Sequence, residues 1–192
     1  EIPPKDEIEI VDRKKPKDPP EKYMPYRPDE DLVPPMANAG EGYSVHVTGL
    51  THNEKGHPQV DEKTQNRLVP RLIDKIRKNV DDILEYEEYK VEDANRIVIA
   101  YGSVYRAAVE AVDMAREKGY KVGLLRPKTI WPFPEERIYD LAREGIEDFI
   151  VAEINFGQIV YEVERCTGGA EATTHLVPRM GGNIHTPEEI VE

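Results

Sequence analysis

Two short stretches of the sequence carry side chains that suit ligand binding or proton transfer. Gly102 and Ser103 follow an apolar run and precede a helical pattern, an arrangement in which many α/β proteins hold a phosphate. Glu153 follows another apolar run, with Asn155 and Gln158 close behind it. A carboxylate at a strand end can transfer protons, and two amides beside it can hydrogen-bond a ligand.

A local structural role competes with chemistry at each of these positions. Ser103 and Asn155 are suited to capping the helices that follow them, since their side-chain oxygens accept from free backbone N–H groups. No glycine-rich phosphate loop surrounds Gly102, and no histidine or second acid adjoins Glu153 in the sequence. Capping and turn formation are therefore favoured over ligand contact at Gly102 and Ser103 and over catalysis at Glu153.

The stretch 126–134 is a proline-stiffened loop with two large aromatic residues. Trp131 and Phe133 alternate there with Pro132 and Pro134. Such rigid aromatic side chains need cover, and they serve protein interfaces well. Packing within the domain or contact with a partner is favoured over a small-molecule pocket.

Two histidines and one cysteine are weaker candidates. His52 and His57 could hold a metal ion only with further ligands, because a zinc site usually has at least three protein ligands. The loop 49–58 offers no clear third ligand, so a polar turn is favoured. Cys166 follows an apolar helical pattern, and we expect it to be buried and unreactive.

Composition and charge exclude several classes of function. The net charge of −12 argues against binding to nucleic acid or an anionic membrane. No apolar run approaches the roughly 20 residues of a membrane span. One cysteine rules out an iron–sulfur cluster or a cysteine-based zinc site within this chain and agrees with a reducing cytoplasm. The 33% of charged residues favours a thermophilic source.

The chain reads as three regions. Residues 1–60 hold ten of the sixteen prolines, which predicts an extended linker with one possible short strand at 43–48. Residues 61–90 predict a long amphipathic helix, and residues 91–192 predict an α/β domain. Since Glu1 is not a natural start, we expect the chain to be part of a longer protein.

Apolar residues at three- and four-residue steps support the long helix. Asp61 or Thr64 could cap its start, and the pattern continues to about Tyr89. Pro70 lies inside the pattern, so we expect it either near the first turn or at a kink.

Strand–helix alternation after Asn95 predicts a mainly parallel sheet with helices on both faces. Ligands of such sheets lie beyond the carboxyl ends of the strands. The loops 101–104, 126–134 and 154–158 would therefore surround any site. The predicted strands are 97–101, 121–125, 148–154 and 173–177, and the predicted helices are 104–118, 134–145, 157–165 and one that begins at the Thr186 capping box.

The order and spacing of these motifs resemble a known family, from about residue 40 to the end. They are similar to the C-terminal part of the alpha subunit of 2-oxoacid:ferredoxin oxidoreductases. The first motif is most similar to the 2-oxoglutarate branch. The matching stretches are Thr48–Pro58, Tyr101–Ser103, Gly123–Pro134, Glu153–Gln158, Val163–Arg165, Gly181–Gly182 and Thr186–Ile190.

The resemblance implies a transketolase C-terminal-like domain within a complex. That complex decarboxylates a 2-oxoacid on thiamine diphosphate, passes electrons through iron–sulfur clusters to ferredoxin and forms an acyl-CoA. The implied partners are the thiamine-binding N-terminal domain of the same subunit and a beta subunit that binds the diphosphate with Mg²⁺. Gamma and delta subunits are further candidates.

The motifs that bind thiamine diphosphate and the cluster cysteines are missing from this chain. We therefore expect a structural, subunit-packing domain that has no catalytic residue and no cofactor of its own. One alternative is a small-ligand module that binds coenzyme A or an anion at the strand-end loops. A second is an independent enzyme that uses Glu153, which lacks partner residues.

Overall fold

The computed structural model describes residues 2–192, so Glu1, whose identity suggested a longer protein, lies outside the described residues. The chain divides into two compact units, one up to Asn79 and one from Val80 to Glu192. None of the helices described between residues 2 and 192 combines the length and the apolar character needed to cross a membrane.

The first unit is mostly extended chain that ends in one long helix, α1 (Glu62–Arg77). A carboxylate oxygen of Asp61 accepts the backbone N–H of Thr64 at 2.9 Å, which confirms Asp61 as the cap. The strand predicted at 43–48 is wrong: these residues form no strand in the described chain. Alternation alone cannot make a strand there, because no neighbouring strand supplies hydrogen-bond partners.

The single helix predicted over 61–90 is wrong beyond Arg77. A short helix, α2 (Val80–Ile83), follows, and the chain then forms strand β1 (Tyr86–Tyr89). β1 pairs antiparallel with a later strand, and Glu87 faces Arg126 across the pair. This opposite-charge pair and the backbone ladder override the local preference for helix. The α/β unit therefore begins at Val80 rather than at residue 91.

The second unit is a five-stranded sheet in the order β1-β3-β2-β4-β5, parallel except for β1. This confirms the predicted mainly parallel sheet. The elements after β1 are β2 (Arg96–Ala100), α3 (Val104–Glu117), β3 (Val122–Pro127), α4 (Glu135–Arg143), β4 (Asp148–Glu153), α5 (Ile159–Thr167), β5 (Thr173–Pro178) and α6 (Pro187–Val191).

Helices cover both faces of the sheet, because side chains alternate along each strand. Ile97 and Ile99 of β2 pack on the face covered by α4 and α5. Val98 and Ala100 pack on the opposite face with α3 and α6. The predicted capping box of α6 is confirmed, since Glu189 accepts the backbone N–H of Thr186 at 2.8 Å.

β2 and β4 are neighbours at the point where the connections of the sheet change direction. The chain passes from β2 to β3 on one side and then crosses to β4 on the other side of β2. Ala100 faces Ala152 across this pair, so the loops that follow the two strands start side by side. Ligands in open α/β sheets bind at such a switch point.

Candidate functional site

The carboxylate of Glu153 is the centre of a polar cluster at the switch point between β2 and β4. Its side chain is fully buried. The Tyr101 hydroxyl donates to Oε2 of Glu153 at 3.2 Å, and Nδ2 of Asn155 donates to the same oxygen at 3.0 Å. The structure thus brings together two predicted site residues, Glu153 and Asn155, and adds Tyr101, which was not among the predicted site residues.

Glu153 also caps the helix that follows it. Its carboxylate accepts the backbone N–H groups of Gln158 at 3.1 Å, Ile159 at 3.1 Å and Val160 at 2.9 Å. These are the free donors at the start of α5, where a negative charge is favourable. A carboxylate at the end of one strand therefore fixes the start of the next helix.

The capping role predicted for Asn155 is wrong, because Glu153 already occupies the helix donors. Oδ1 of Asn155 instead accepts the N–H of Gly157 at 2.7 Å and closes the turn before α5. Gly157 has φ +102, and a Cβ there would lie 2.9 Å from a methyl carbon of Val160. Gln158 takes part through its backbone only, since its side chain is exposed.

The charge states of the cluster are fixed by its surroundings. Burial by itself raises the pKa of Glu153, but the backbone N–H donors of α5 hydrogen-bond the ionised form and together bring that pKa below its ordinary value. Burial and the Glu153 charge raise the pKa of Tyr101. A general base needs a pKa near the working pH. The pair is therefore better suited to holding two strand ends together than to proton transfer.

Gly102 and Ser103 form the turn into α3. Gly102 has φ +57, which confirms the predicted tight turn. The cap predicted at Ser103 is wrong, since its side chain makes no capping hydrogen bond. Its backbone already has helical angles, φ −70 and ψ −24, whereas a capping residue usually has an extended backbone.

Packing within the domain and contact with a partner were the two roles predicted for the loop of Trp131 and Phe133, and the two residues differ in which role they fit. Phe133 is buried in the core on the face of α4 and α5. Trp131 is 55% exposed, and Ile154 and Phe156 are also exposed in the loop after β4. All of these loops lie at the carboxyl edge of the sheet. Large exposed apolar side chains at one edge indicate an interaction surface.

The donor atoms of the described residues are not arranged as a metal or cluster site. Between residues 2 and 192, no group of three His, Cys, Asp or Glu side chains is placed to hold a metal ion. Cys166 is buried, as predicted, and burial raises the pKa of its thiol to about 11. A metal ligand must be the thiolate, which this environment disfavours.

We expect Cys166 in the native protein to react with Ellman's reagent at pH 8 roughly 250-fold more slowly than in urea. A thiol with a pKa of about 11 is roughly one part in a thousand ionised at that pH, whereas an unfolded cysteine is about one quarter ionised. The rate of thionitrobenzoate release measures this difference. Equal rates in the two states would show that the thiol is accessible.

The fold and the cluster together define a doubly wound α/β domain whose switch point is held by a buried carboxylate. Residues 94–190 match the family model described as pyruvate:ferredoxin oxidoreductase core domain II. The chain belongs to this family.

Relatives with curated names agree with this assignment. The chain is 45% identical over 96% of its length to 2-oxoglutarate synthase subunit KorA from Methanocaldococcus jannaschii. It is 44% identical over 97% of its length to the subunit of the same name from Methanothermobacter thermautotrophicus. In both comparisons the chain spans about half of the relative, 49%. The archaeal thermophile sources agree with the prediction from composition.

A solved structure is also similar over nearly the whole chain. It is described as 2-oxoglutarate:ferredoxin oxidoreductase from Magnetococcus marinus with 2-oxoglutarate, coenzyme A and succinyl-CoA bound. The TM-score is 0.72 at 26% identity, and the match covers 98% of this chain and 33% of that one. The resemblance to 2-oxoacid:ferredoxin oxidoreductases is therefore confirmed.

Proposed function

We propose that this chain is the C-terminal part of the alpha subunit of a 2-oxoacid:ferredoxin oxidoreductase that acts on 2-oxoglutarate. The complex would oxidatively decarboxylate the 2-oxoacid to an acyl-CoA, with ferredoxin as the electron acceptor. The observation that carries the proposal is the 45% identity over 96% of the chain, which includes both units. The chain would contribute architecture rather than reacting groups.

The first unit supports a packing role, because it has almost no core of its own. Among residues 2–79, the only buried residue is Gly56. Apolar side chains that would normally be covered are exposed there, including Ile10, Val47 and Val60. Burial of apolar surface is what stabilises a fold. We propose that this unit lies against the thiamine-binding domain of the same subunit.

The carboxyl edge of the second unit supports a contact with another subunit. Trp131 and Phe156 are exposed there, and aromatic residues are enriched where binding energy is concentrated. We propose the beta subunit as the partner at this edge, with gamma and delta subunits as further partners of the complex. Ferredoxin and coenzyme A would meet the complex elsewhere.

Cofactors of the complex would be held outside this chain. Thiamine diphosphate with Mg²⁺ would supply the nucleophilic carbon for decarboxylation, and iron–sulfur clusters would carry electrons to ferredoxin. The side chains of this chain would position the subunits that bind these groups.

The alternative function, binding of coenzyme A or another anion at the strand-end loops, is disfavoured by the same geometry. A helix N-terminus at a switch point binds anions through its free N–H groups. Here Glu153 already takes the N–H groups of Gln158, Ile159 and Val160. An anion would also meet the buried charge of Glu153.

The test is reconstitution of the complex. The full subunit and its partners should reduce viologen dye with 2-oxoglutarate and coenzyme A, in preference to pyruvate or 2-oxoisovalerate. The 192-residue chain alone should give no reduction under the same conditions. Dye reduction by the chain alone would contradict the packing role, and a preference for pyruvate would contradict the proposed substrate.

We expect Trp131→Ala to weaken assembly of the complex by about tenfold or more, as for an aromatic anchor of an interface. The stability of the isolated chain should change by less than about 1 kcal/mol, because the side chain is exposed. Mass photometry over a dilution series measures the assembly.

Tyr120→Ala is the matched control for Trp131→Ala. Tyr120 is also 55% exposed, but it precedes β3 and so lies at the opposite edge of the sheet. Tyr120→Ala should leave assembly of the complex unchanged. Equal effects of the two substitutions would contradict a specific contact at the carboxyl edge.

A further inference from the structure

The first unit contains a cavity of about 400 Å³ that lies outside the switch-point cluster. It is formed by the segment 24–28, the loop 52–59 and one face of α1. Pockets of this size hold small ligands or one part of a larger ligand. The side chains around it therefore indicate which chemistry the cavity accepts.

The lining of the cavity is strongly basic in a protein whose net charge is −12. It includes one carboxylate, that of Glu54, which pairs with Arg67. The other cations lining the cavity form no ion pair with any carboxylate of residues 2–192; they are Lys55, Lys63 and Arg71. The local charge favours an anion.

Arg71 is half-buried and has little compensation for its charge. Its guanidinium donates one long hydrogen bond, 3.4 Å, to the carbonyl of Leu32. Burial lowers the pKa of this guanidinium. A buried cation is costly without an anion beside it, and the planar fork of arginine matches the oxygens of phosphate.

His52 provides an acceptor in the same lining. Its Nδ1 donates to the carbonyl of Leu50 at 2.9 Å, so Nε2 is the ring nitrogen that is left to accept a hydrogen bond. Nε2 is buried and has no hydrogen-bond partner among the described residues. Buried polar atoms without a partner are rare. A ligand with an O–H group would satisfy it.

The loop that carries His52 is internally braced. Oδ1 of Asn53 accepts the backbone N–H groups of Lys55 at 3.0 Å and His57 at 3.2 Å. The backbone N–H of Asn53 donates to the carbonyl of His57 at 3.0 Å. A loop that is rigid before binding loses less entropy when a ligand arrives.

We propose that this cavity binds a phosphate group, either free phosphate or the phosphate of a monoester. Arg71 and Lys63 hold the anionic oxygens, and Nε2 of His52 accepts from an O–H group of the ligand, the P–OH of free phosphate or an alcohol O–H of the monoester. This inference rests on the cavity alone and is independent of the oxidoreductase role.

Isothermal titration of the full-length subunit with sodium phosphate at low ionic strength tests the proposal. We expect saturable binding that Arg71→Gln weakens by about tenfold or more, as loss of one charge-assisted contact predicts. Lys63→Gln, at an exposed position of the lining, tests the same site if Arg71→Gln does not fold. Arg77→Gln is the matched control, since it removes one charge from α1 outside the cavity lining.

Five outcomes decide the proposal. Absence of heat at 10 mM phosphate overturns it, and so does an equal loss in Arg77→Gln, which would indicate nonspecific attraction. Glycerol 3-phosphate in the same titration assigns the source: tighter binding than phosphate supports a monoester, and weaker binding supports the free ion. Sulfate has no O–H group at neutral pH, so affinity equal to that of phosphate overturns the role of His52.

Discussion

Replacing Glu153 by Ala should destabilise the α/β unit by about 3–5 kcal/mol, the cost of removing one partner from a buried charged network. The carboxylate accepts from the first turn of α5, from Tyr101 and from Asn155, and all of these donors would lose their partner together. Urea unfolding followed by far-UV circular dichroism measures the loss. The melting temperature should fall by on the order of 10 °C.

Two further variants make this test specific. Glu153→Gln keeps the size and one acceptor oxygen, so it should cost about half as much as Ala. Glu164→Gln removes the same charge from an exposed position of α5 and should stay within about 0.5 kcal/mol of the unaltered protein. If Glu153→Ala lowered the stability no more than Glu164→Gln, the hydrogen bonds between Glu153 and α5 would not contribute to the stability of the fold.

The effect of Glu153 should depend on pH in one direction. Its pKa is lower in the folded protein than in the unfolded chain, so the ionised form stabilises the fold above the unfolded value of about 4.3. This stabilisation is lost as the pH falls through the lower, folded pKa. The stability difference between the unaltered protein and Glu153→Gln should be constant from pH 6 to 8 and shrink below about pH 4. A difference that grew in acid would show that the buried group is neutral.

Gly56→Ala should destabilise the folded conformation of the loop 52–59 by about 2–4 kcal/mol, because the new methyl group would clash with neighbouring atoms. Gly56 has φ +86, and a Cβ there would lie 2.2 Å from the carbonyl oxygen of His46 and 2.7 Å from a ring carbon of Tyr26. The loop must move away from both. Limited proteolysis should show faster cleavage between residues 46 and 60.

Gly49→Ala is the control for this substitution. A Cβ at Gly49 would meet nothing within 4 Å, and its φ is not positive. Its cleavage pattern should match that of the unaltered protein. Equal patterns for Gly56→Ala and the unaltered protein would show that the loop tolerates a side chain.

The α/β part of the fold could be predicted because its signals are local. Apolar runs, helical periodicity and glycines at helix ends lie within each element. Tyr86–Tyr89 could not be recognised as a strand, since its partner, β3, starts more than thirty residues later in the chain. Its tyrosines and glutamates fit the outer face of a helix equally well until β3 lies beside them.

The sequence indicated Glu153 and Asn155 as residues of the candidate site, but it did not indicate what each side chain does there. Capping rules look for Ser or Asn directly before a helix, and they selected Ser103 and Asn155. The cap on α5 is Glu153, which lies five to seven residues before the N–H groups it accepts. A short turn closed by Asn155 and Gly157 folds these groups back onto the strand end. An acid at the end of a buried strand, followed by Asn-x-Gly, is the signal that could have indicated this role.

The two edges of the sheet restrict how this domain can join other proteins. β1 is four residues long and carries Glu87 and Glu88, while β5 ends at Pro178, which has no N–H to donate. Short, charged and proline-ended edges resist pairing with a further strand. A continuous sheet across two subunits is therefore disfavoured. Neighbouring subunits should therefore contact this domain through side chains rather than through backbone hydrogen bonds. Each subunit can then fold before it binds its partner.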